Sequence, residues 1–497
     1  MPLNANSIQL GPWNRVRYDI PVEDCAPDEI SSMSNVRLGQ GGEASQRPGT
    51  LSFNSLGAVN SGATLTMCAQ YNVTANTDQE VIVAGNKIYD YSSSVWTDRT
   101  NGLTVTAGDD NTFEWADANG TLVATNGVDT DAFKISGGNA TALDDNARFS
   151  KGKHIAWFDN RLWIGNVNGA TNQVWRSNIA DIETWGATSF YNFGGIVTAL
   201  IPSQNALCVH TTEGIYTLIP TGNADTPFIS NKQTARAGID GRSCVALPGD
   251  VQLMILEDGI YEWSGGAELV KVSQHLDGGY WPQINVSRLH KAHAVYYPTE
   301  NEVWFFLPHG LAQTNMDQVM VWNRIKRAWH GPYEGFERNC STLIDNEVHA
   351  GDFSGFLLDH AATTDADEGS SINASFETGA PAPLGPDVRV RWLTGRHYYD
   401  AQGTDQYVTV IQRGAELVTE SKQLLLDGAG FELDVDFLDI DTLAELVQFS
   451  QDVGMQGYSP QSSVEIQKNT AGETFTHRKI FLRFKPLGRF IKDKPDD

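Results

Sequence analysis

The chain is predicted to be all-β, a β-propeller of about seven blades (six possible) with an extended N-terminal arm and a C-terminal β-rich module. Three observations carry this. One short pattern recurs seven times: a turn residue or two, then a β-branched or leucine-type residue beside an aromatic or aliphatic one. It reads Asn86-Lys87-Ile88-Tyr89, Asn160-Arg161-Leu162-Trp163, Glu213-Gly214-Ile215-Tyr216, Asp258-Gly259-Ile260-Tyr261 and Asn301-Glu302-Val303-Trp304, with looser copies at Asn119-Gly120-Thr121-Leu122 and Ser354-Gly355-Phe356-Leu357. The copies begin 33, 41, 53, 45, 43 and 53 residues apart, a spacing that propeller blades produce. Between them lie short β-rich runs bounded by Gly, Asn, Asp or Pro. A small twisted sheet cannot bury both faces alone; a ring of such sheets can.

The elements follow in order. Residues 1–60 are dominated by turn formers and polar residues, with only short apolar pieces such as Val36-Arg37-Leu38, and read as an extended arm that needs another surface. Residues 61–361 carry the blade strands, among them Thr64–Ala69, His154–Phe158, Val251–Leu256 and Glu302–Leu307. Eleven tryptophans fall there, and eight of them, Trp157, Trp163, Trp175, Trp185, Trp263, Trp304, Trp322 and Trp329, are expected mostly between blades, where large rings fill the wedge. Thr363–Ser371 and Gly379–Pro386 read as linkers. Residues 372–497 form a separate β-rich module, with one short helix over Thr442–Ser450 from the spacing of Leu443, Leu446 and Val447. Its last strand alternates from Arg478 to Lys485. Arg478 to Lys494 holds seven Lys or Arg and one Asp, a pattern suited to a solvated edge or to an acidic neighbour.

Composition narrows the function. The formal charge is −26 over 497 residues, which disfavours stable nucleic-acid binding, since that needs a basic face. The five cysteines are odd in number, far apart and without CxxC, so neither a disulfide framework nor a zinc site follows, and assembly inside a cell is the simplest fit. Met1–Val16 has no apolar run of signal-peptide length, and no stretch approaches the ~18 consecutive apolar residues of a membrane span.

No catalytic, cofactor-binding or metal-binding residues are assigned. Gly39-Gln40-Gly41-Gly42 lacks the Lys-Ser/Thr and following helix of a phosphate loop. His293, His309, His330 and His349 share no ligand spacing. Asp365-Ala366-Asp367-Glu368-Gly369 and Asp434, Asp436, Asp439 and Asp441 are paired acids, read as solvated rather than calcium-binding. Ser177 to Trp185 superficially resembles the Asp-box turn of sialidases but is one residue short and lacks its Gly.

Three segments together resemble the tail nozzle (tubular tail) proteins of short-tailed bacteriophages. Asn35-Val-Arg-Leu-Gly-Gln-Gly-Gly-Glu-Ala-Ser-Gln-Arg47-Pro48-Gly49-Thr50 is similar to their N-V-R…G-G…R-P-G opening. Val174 to Trp185 resembles one of their blade segments, and Met320-Val321-Trp322-Asn323 through Ala328-Trp329, followed by Ser354–Leu357, another. The resemblance covers about the first 360 residues. It implies a non-enzymatic virion component assembled in the host cytoplasm. Such a subunit rings up, usually sixfold, below the tail adaptor, beside fibre or spike proteins, and lets genome DNA pass without stable binding. This chain is shorter than many nozzles. The alternatives are a propeller that binds host glycans at the phage tail and, less favoured, a propeller glycoside hydrolase.

Overall fold

The computed structural model describes residues 6–489, apart from 75–76, 145–147, 236–240, 363, 387, 401–406, 414–419, 426–447, 456–457 and 469–473. Among these residues the regular structure is β, and the helical pieces are short 3-10 turns.

Six four-stranded antiparallel sheets follow one another along the chain, and a seventh sheet, of six strands, completes the series. Their first strands are Leu65–Thr74, Glu114–Asp117, His154–Phe158, Val197–Pro202, Cys244–Leu247, His293–Tyr297 and Cys340–Ile344. Each first strand contacts the first strand of the next sheet, and Cys340–Ile344 returns to contact Leu65–Thr74. A closed cycle of seven meanders with the first strand innermost is a seven-bladed β-propeller. Several second strands are buried on both faces against neighbouring blades: every residue of Leu122–Thr125, Leu207–Thr211 and Glu302–Leu307 is buried. Both faces of such a strand must therefore be packed, and its apolar run is continuous rather than alternating. Seven of those eight named tryptophans are buried, and Trp157 is half-buried against the axis.

Each blade holds one copy of the recurring pattern, but at two different turns. In blades 2, 3 and 6 (Asn119, Asn160, Asn301) it joins the first strand to the second. In blades 1, 4, 5 and 7 (Asn86, Glu213, Asp258, Ser354) it joins the second to the third. Both intervals of 53 are steps from the first kind of turn to the second. Asn119, Asn160 and Asn301 have φ of 56°, 53° and 55°, a region that asparagine tolerates better than most residues.

Blade 7 takes three strands from residues 340–362, and its outer strand is Gly49–Ser52, paired Leu358 to Ser52 and Asp359 to Leu51. The expectation of an extended arm is thereby corrected. Residues 6–52 are woven into regular structure. Asn6–Leu10 and Ala44–Gln46 pair with Thr476–Arg489, and Val36–Leu38 pairs with Ala44–Gln46. Glu29–Ser34 pairs with Ala374–Thr378. The segment does need another surface, but it meets that need within its own chain.

These strands and those of residues 374–489 make two sheets. One runs Val36–Leu38, Ala44–Gln46, Thr476–Arg489, Val388–Asp400, Gln448–Gly454; the other runs Arg15–Val16, Glu29–Ser34, Ala374–Thr378, Ser463–Lys468, Tyr407–Arg413, Glu420–Leu425. Trp13, Phe376, Trp392 and Phe484 fill the space between them, in one continuous core with Leu253, Trp304 and Trp329 of blades 5 and 6. The C-terminal module is therefore half of a unit whose other half is N-terminal, seated on the propeller. The expected linker 363–371 includes a small hairpin, Ala366–Asp367 with Ser370–Ser371, and Asp367 pairs with Thr50. Of the expected helix, residues 442–447 lie outside the described residues, and 448–450 belong to the strand Gln448–Gly454.

Candidate functional site

Two places concentrate polar side chains: a clasp where the N-terminal segment meets blades 6 and 7, and the propeller axis.

The clasp is built on Asn35 and Arg47. Asn35 has φ 54°. Its Oδ1 accepts from Arg47 Nε at 2.8 Å and from the Glu334 amide at 2.7 Å, while its Nδ2 donates to the Asn373 carbonyl at 2.8 Å. Arg47 is buried. Its Nη1 and Nη2 donate to the two oxygens of Asp367 at 2.9 and 2.6 Å, Nη2 donates to the Glu334 carbonyl, and the guanidinium lies 5.0 Å from the Phe336 ring centre. A planar fork suits this paired geometry, which a lysine would not reproduce. Two residues on from Asn35, Arg37 pairs with Glu300 and Glu302, each at 3.0 Å. Glu302 is 1% exposed and also meets His330 Nε2 at 3.2 Å. Burial pushes its carboxyl up, but His330 and Arg37 outweigh burial and hold it at about 2. A Cβ on Gly49 would collide with the Ala366 carbonyl, so close backbone approach selects glycine there.

At the axis, the N-terminal ends of the inner strands are tied together. His154 Nδ1 lies 2.9 Å from Glu114 Oε1, bridging blades 3 and 2. Arg242, just before blade 5, donates to the carbonyls of Asn339 at 3.0 Å and Lys291 at 3.3 Å, reaching blades 7 and 6. Lys291 Nζ pairs with Asp110 at 2.7 Å. These contacts plug one end of the axis. Above the plug lies a cavity of about 440 Å³ lined from all seven inner strands, with Trp115, Asp117, Trp157, Arg242 and His293 in its wall and exposed Pro202 at its far rim. His293 stacks on Phe306 at 4.5 Å, and burial, with Arg242 nearby, pushes its pKa down to about 3. His210, buried on blade 4 against Gln252 at 2.8 Å, is pushed down by burial to about 4. Cys68 and Cys244 also line the cavity; burial pushes both thiols well up, so they are held protonated.

The residues singled out in the sequence are dispersed. His309 stacks on Tyr280, His330 sits in the clasp network, and His349 packs on Phe53. Among the described residues no group of three or more His, Cys, Asp or Glu is placed to hold a metal ion. Asp367 and Glu368 face the N-terminal segment, through Arg47 and Ser52. Asp434, Asp436, Asp439 and Asp441 lie outside the described residues. In the Ser177–Trp185 turn, Asp181 Oδ1 accepts from the Glu183 and Thr184 amides, and Trp185 packs on Phe149 at 4.5 Å. The axial set escaped sequence reasoning because its members come from separate blades at no fixed spacing. Trp157 alone carried a signal, as a large ring on a first strand.

No family model matches the chain, and no curated protein matches it. Among solved structures it is similar to BamB from Moraxella catarrhalis, at 11% identity and TM-score 0.37, over 63% of this chain and 97% of that one. It is also similar to the extracellular domain of the putative hybrid two-component system BT4673 from B. thetaiotaomicron, at 9% identity and TM-score 0.44, over 88% of this chain and 62% of that one.

Proposed function

We propose that this chain is a structural subunit of the tail nozzle of a short-tailed bacteriophage, ringing up with copies of itself below the tail adaptor to form the distal conduit for genome ejection. One observation carries the reading. The residues on which the resemblance rests do framework work: Asn35, Arg47 and Gly49 fasten the N-terminal segment to blades 6 and 7, the turn before Trp185 closes blade 3, and Trp322 packs on Trp329 at 5.0 Å in blade 6. A subunit that must stay rigid in a particle is best served by motifs of this kind. The conduit is the space between subunits, because the propeller axis is plugged and encloses only about 440 Å³. The −26 charge suits a wall from which phosphate must slide away. Electron microscopy of the purified particle tests the proposal: density for the seven-bladed ring in a tail ring below the adaptor is the expected result, and its absence from the tail overturns it.

A further inference from the structure

We infer that the axial cavity is a binding site for a small neutral saccharide. The inference stands independently of the tail assignment, since it rests on the cavity alone. Several propeller tryptophans spend their indole N–H inside the protein: Trp163, Trp185, Trp263 and Trp329 donate to the carbonyls of Phe158, Ile182, Gly266 and Val272. Trp96, Trp115, Trp157 and Trp322 make no such bond to a described residue, and of these Trp115 and Trp157 line the cavity. Both are half-buried, both line the cavity from adjacent blades, and neither indole N–H is hydrogen-bonded to a described residue. Trp115 packs on the core between blades 1 and 2 and Trp157 on the core between blades 2 and 3, so it is the part of each ring left accessible, with its unpaired N–H, that a ligand in the cavity could use.

The polar groups narrow the ligand. Arg242 lies in the wall, and among the described residues its partners are carbonyls rather than carboxylates. Glu114 and Asp117 lie in the same wall. Among the described lining residues the sum of one cation and two carboxylates disfavours an anion, and a cation would meet Arg242. A sugar fits both halves of this chemistry. Its hydroxyls donate to carboxylates and accept from guanidinium and indole N–H, and its C–H face packs on an indole ring. The volume, about 440 Å³, falls in the range of small-molecule sites.

The test is titration of the full chain with glucose, galactose, N-acetylglucosamine and lactose, followed by tryptophan fluorescence and calorimetry, with glutamate and putrescine as charged controls of similar size. Saturable binding of at least one sugar with a Kd of about 1 mM or tighter is expected, weakened about tenfold or more by Trp157→Ala and by Trp115→Ala, with an unchanged melting temperature. If Trp157→Ala lowers the melting temperature, Trp157→Leu, which keeps apolar bulk without a ring face, is expected to weaken binding as much. Absence of saturation by any sugar, binding of glutamate or putrescine alone, or undiminished affinity in both Trp157 variants overturns the inference.

Discussion

Arg47 and Asp367, 320 residues apart in the chain, meet in a two-pronged ion pair at 2.9 and 2.6 Å. The pair ties the closing strand of the ring to the hairpin that leads into the C-terminal sheets. Removing Arg47 leaves the half-buried Asp367 carboxylate and the Glu334 carbonyl without this donor, which costs roughly 1–3 kcal/mol. Arg47→Ala is expected to lower the unfolding free energy by that amount, read from denaturant titration, and Arg47→Lys is expected to recover little of it. Equal midpoints for the wild type and Arg47→Lys would remove the clasp from the account.

Glu302 carries a signed pH prediction. Its folded pKa, held down at about 2, lies below the ordinary carboxyl value near 4.3. The stability it contributes is therefore present above that ordinary value and is lost as pH falls towards 2. Glu302→Gln is expected to be less stable than wild type at pH 7, with the gap closing between about pH 4 and pH 2. Parallel acid-unfolding curves would contradict this.

The buried histidines act at higher pH and with their own sign. Burial lowers His210 to about 4, His293 to about 3 and His397 to about 4. The unfolded chain takes up protons at these positions near pH 6.5, and the folded chain resists until their lower values. Melting temperature is thus expected to fall as pH drops from 6.5 towards 4. His397, in contact with His477 at 3.2 Å, is expected to contribute to the slope, so His397→Gln should flatten it. A slope unchanged by that variant would count against the buried pair.

Deleting residues 1–48 removes five strands from two sheets and uncovers Phe376 and Trp392, and is expected to leave the chain insoluble or protease-sensitive. A milder variant, Gly49→Ala, forces a Cβ against the Ala366 carbonyl and is expected to destabilise blade 7 while sparing blades 2–5. Limited proteolysis with mass spectrometry reads both. A soluble, protease-resistant propeller from the deletion would contradict the closure described above.

Charge predicts the behaviour towards DNA. The isolated subunit, at −26, is expected to give no duplex shift near physiological salt. In an assembled ring, Arg483, Lys485 and Arg489 are expected at an interface or outer rim. A salt-sensitive shift, or these three residues in the lumen, would refute the conduit reading.

Much of the propeller was legible because blade strands are local. Glu302–Leu307 pairs with His293–Tyr297 a few residues before it, so its apolar run and its turn stand together in the sequence. The N-terminal strands were misread for the opposite reason. Glu29–Ser34 presents Ile30 and Met33 among polar residues, and its partner Ala374–Thr378 lies more than 300 residues away. Pieces of three to six residues that bury one or two side chains each look like a loop until the distant strand is known. The clasp was visible only as a resemblance, since no local rule links Asn35 and Arg47 to Asp367. The axial pocket was hidden because one wall is shared among seven turns of the ring.

The pairing of Asn6–Leu10 with Thr476–Arg489, and of Gly49–Ser52 with Leu357–Ala362, sets an order of events during translation. The first blades can form as they leave the ribosome, but Asn6–Leu10 and Gly49–Ser52 have no strand partner until some 300 to 470 further residues have been made. The nascent chain therefore cannot close its ring or cover its N-terminal apolar side chains while it is still short. Any assembly surface that depends on the closed form is withheld until synthesis has passed the last of these strands, which protects a growing chain from joining a partner half-made.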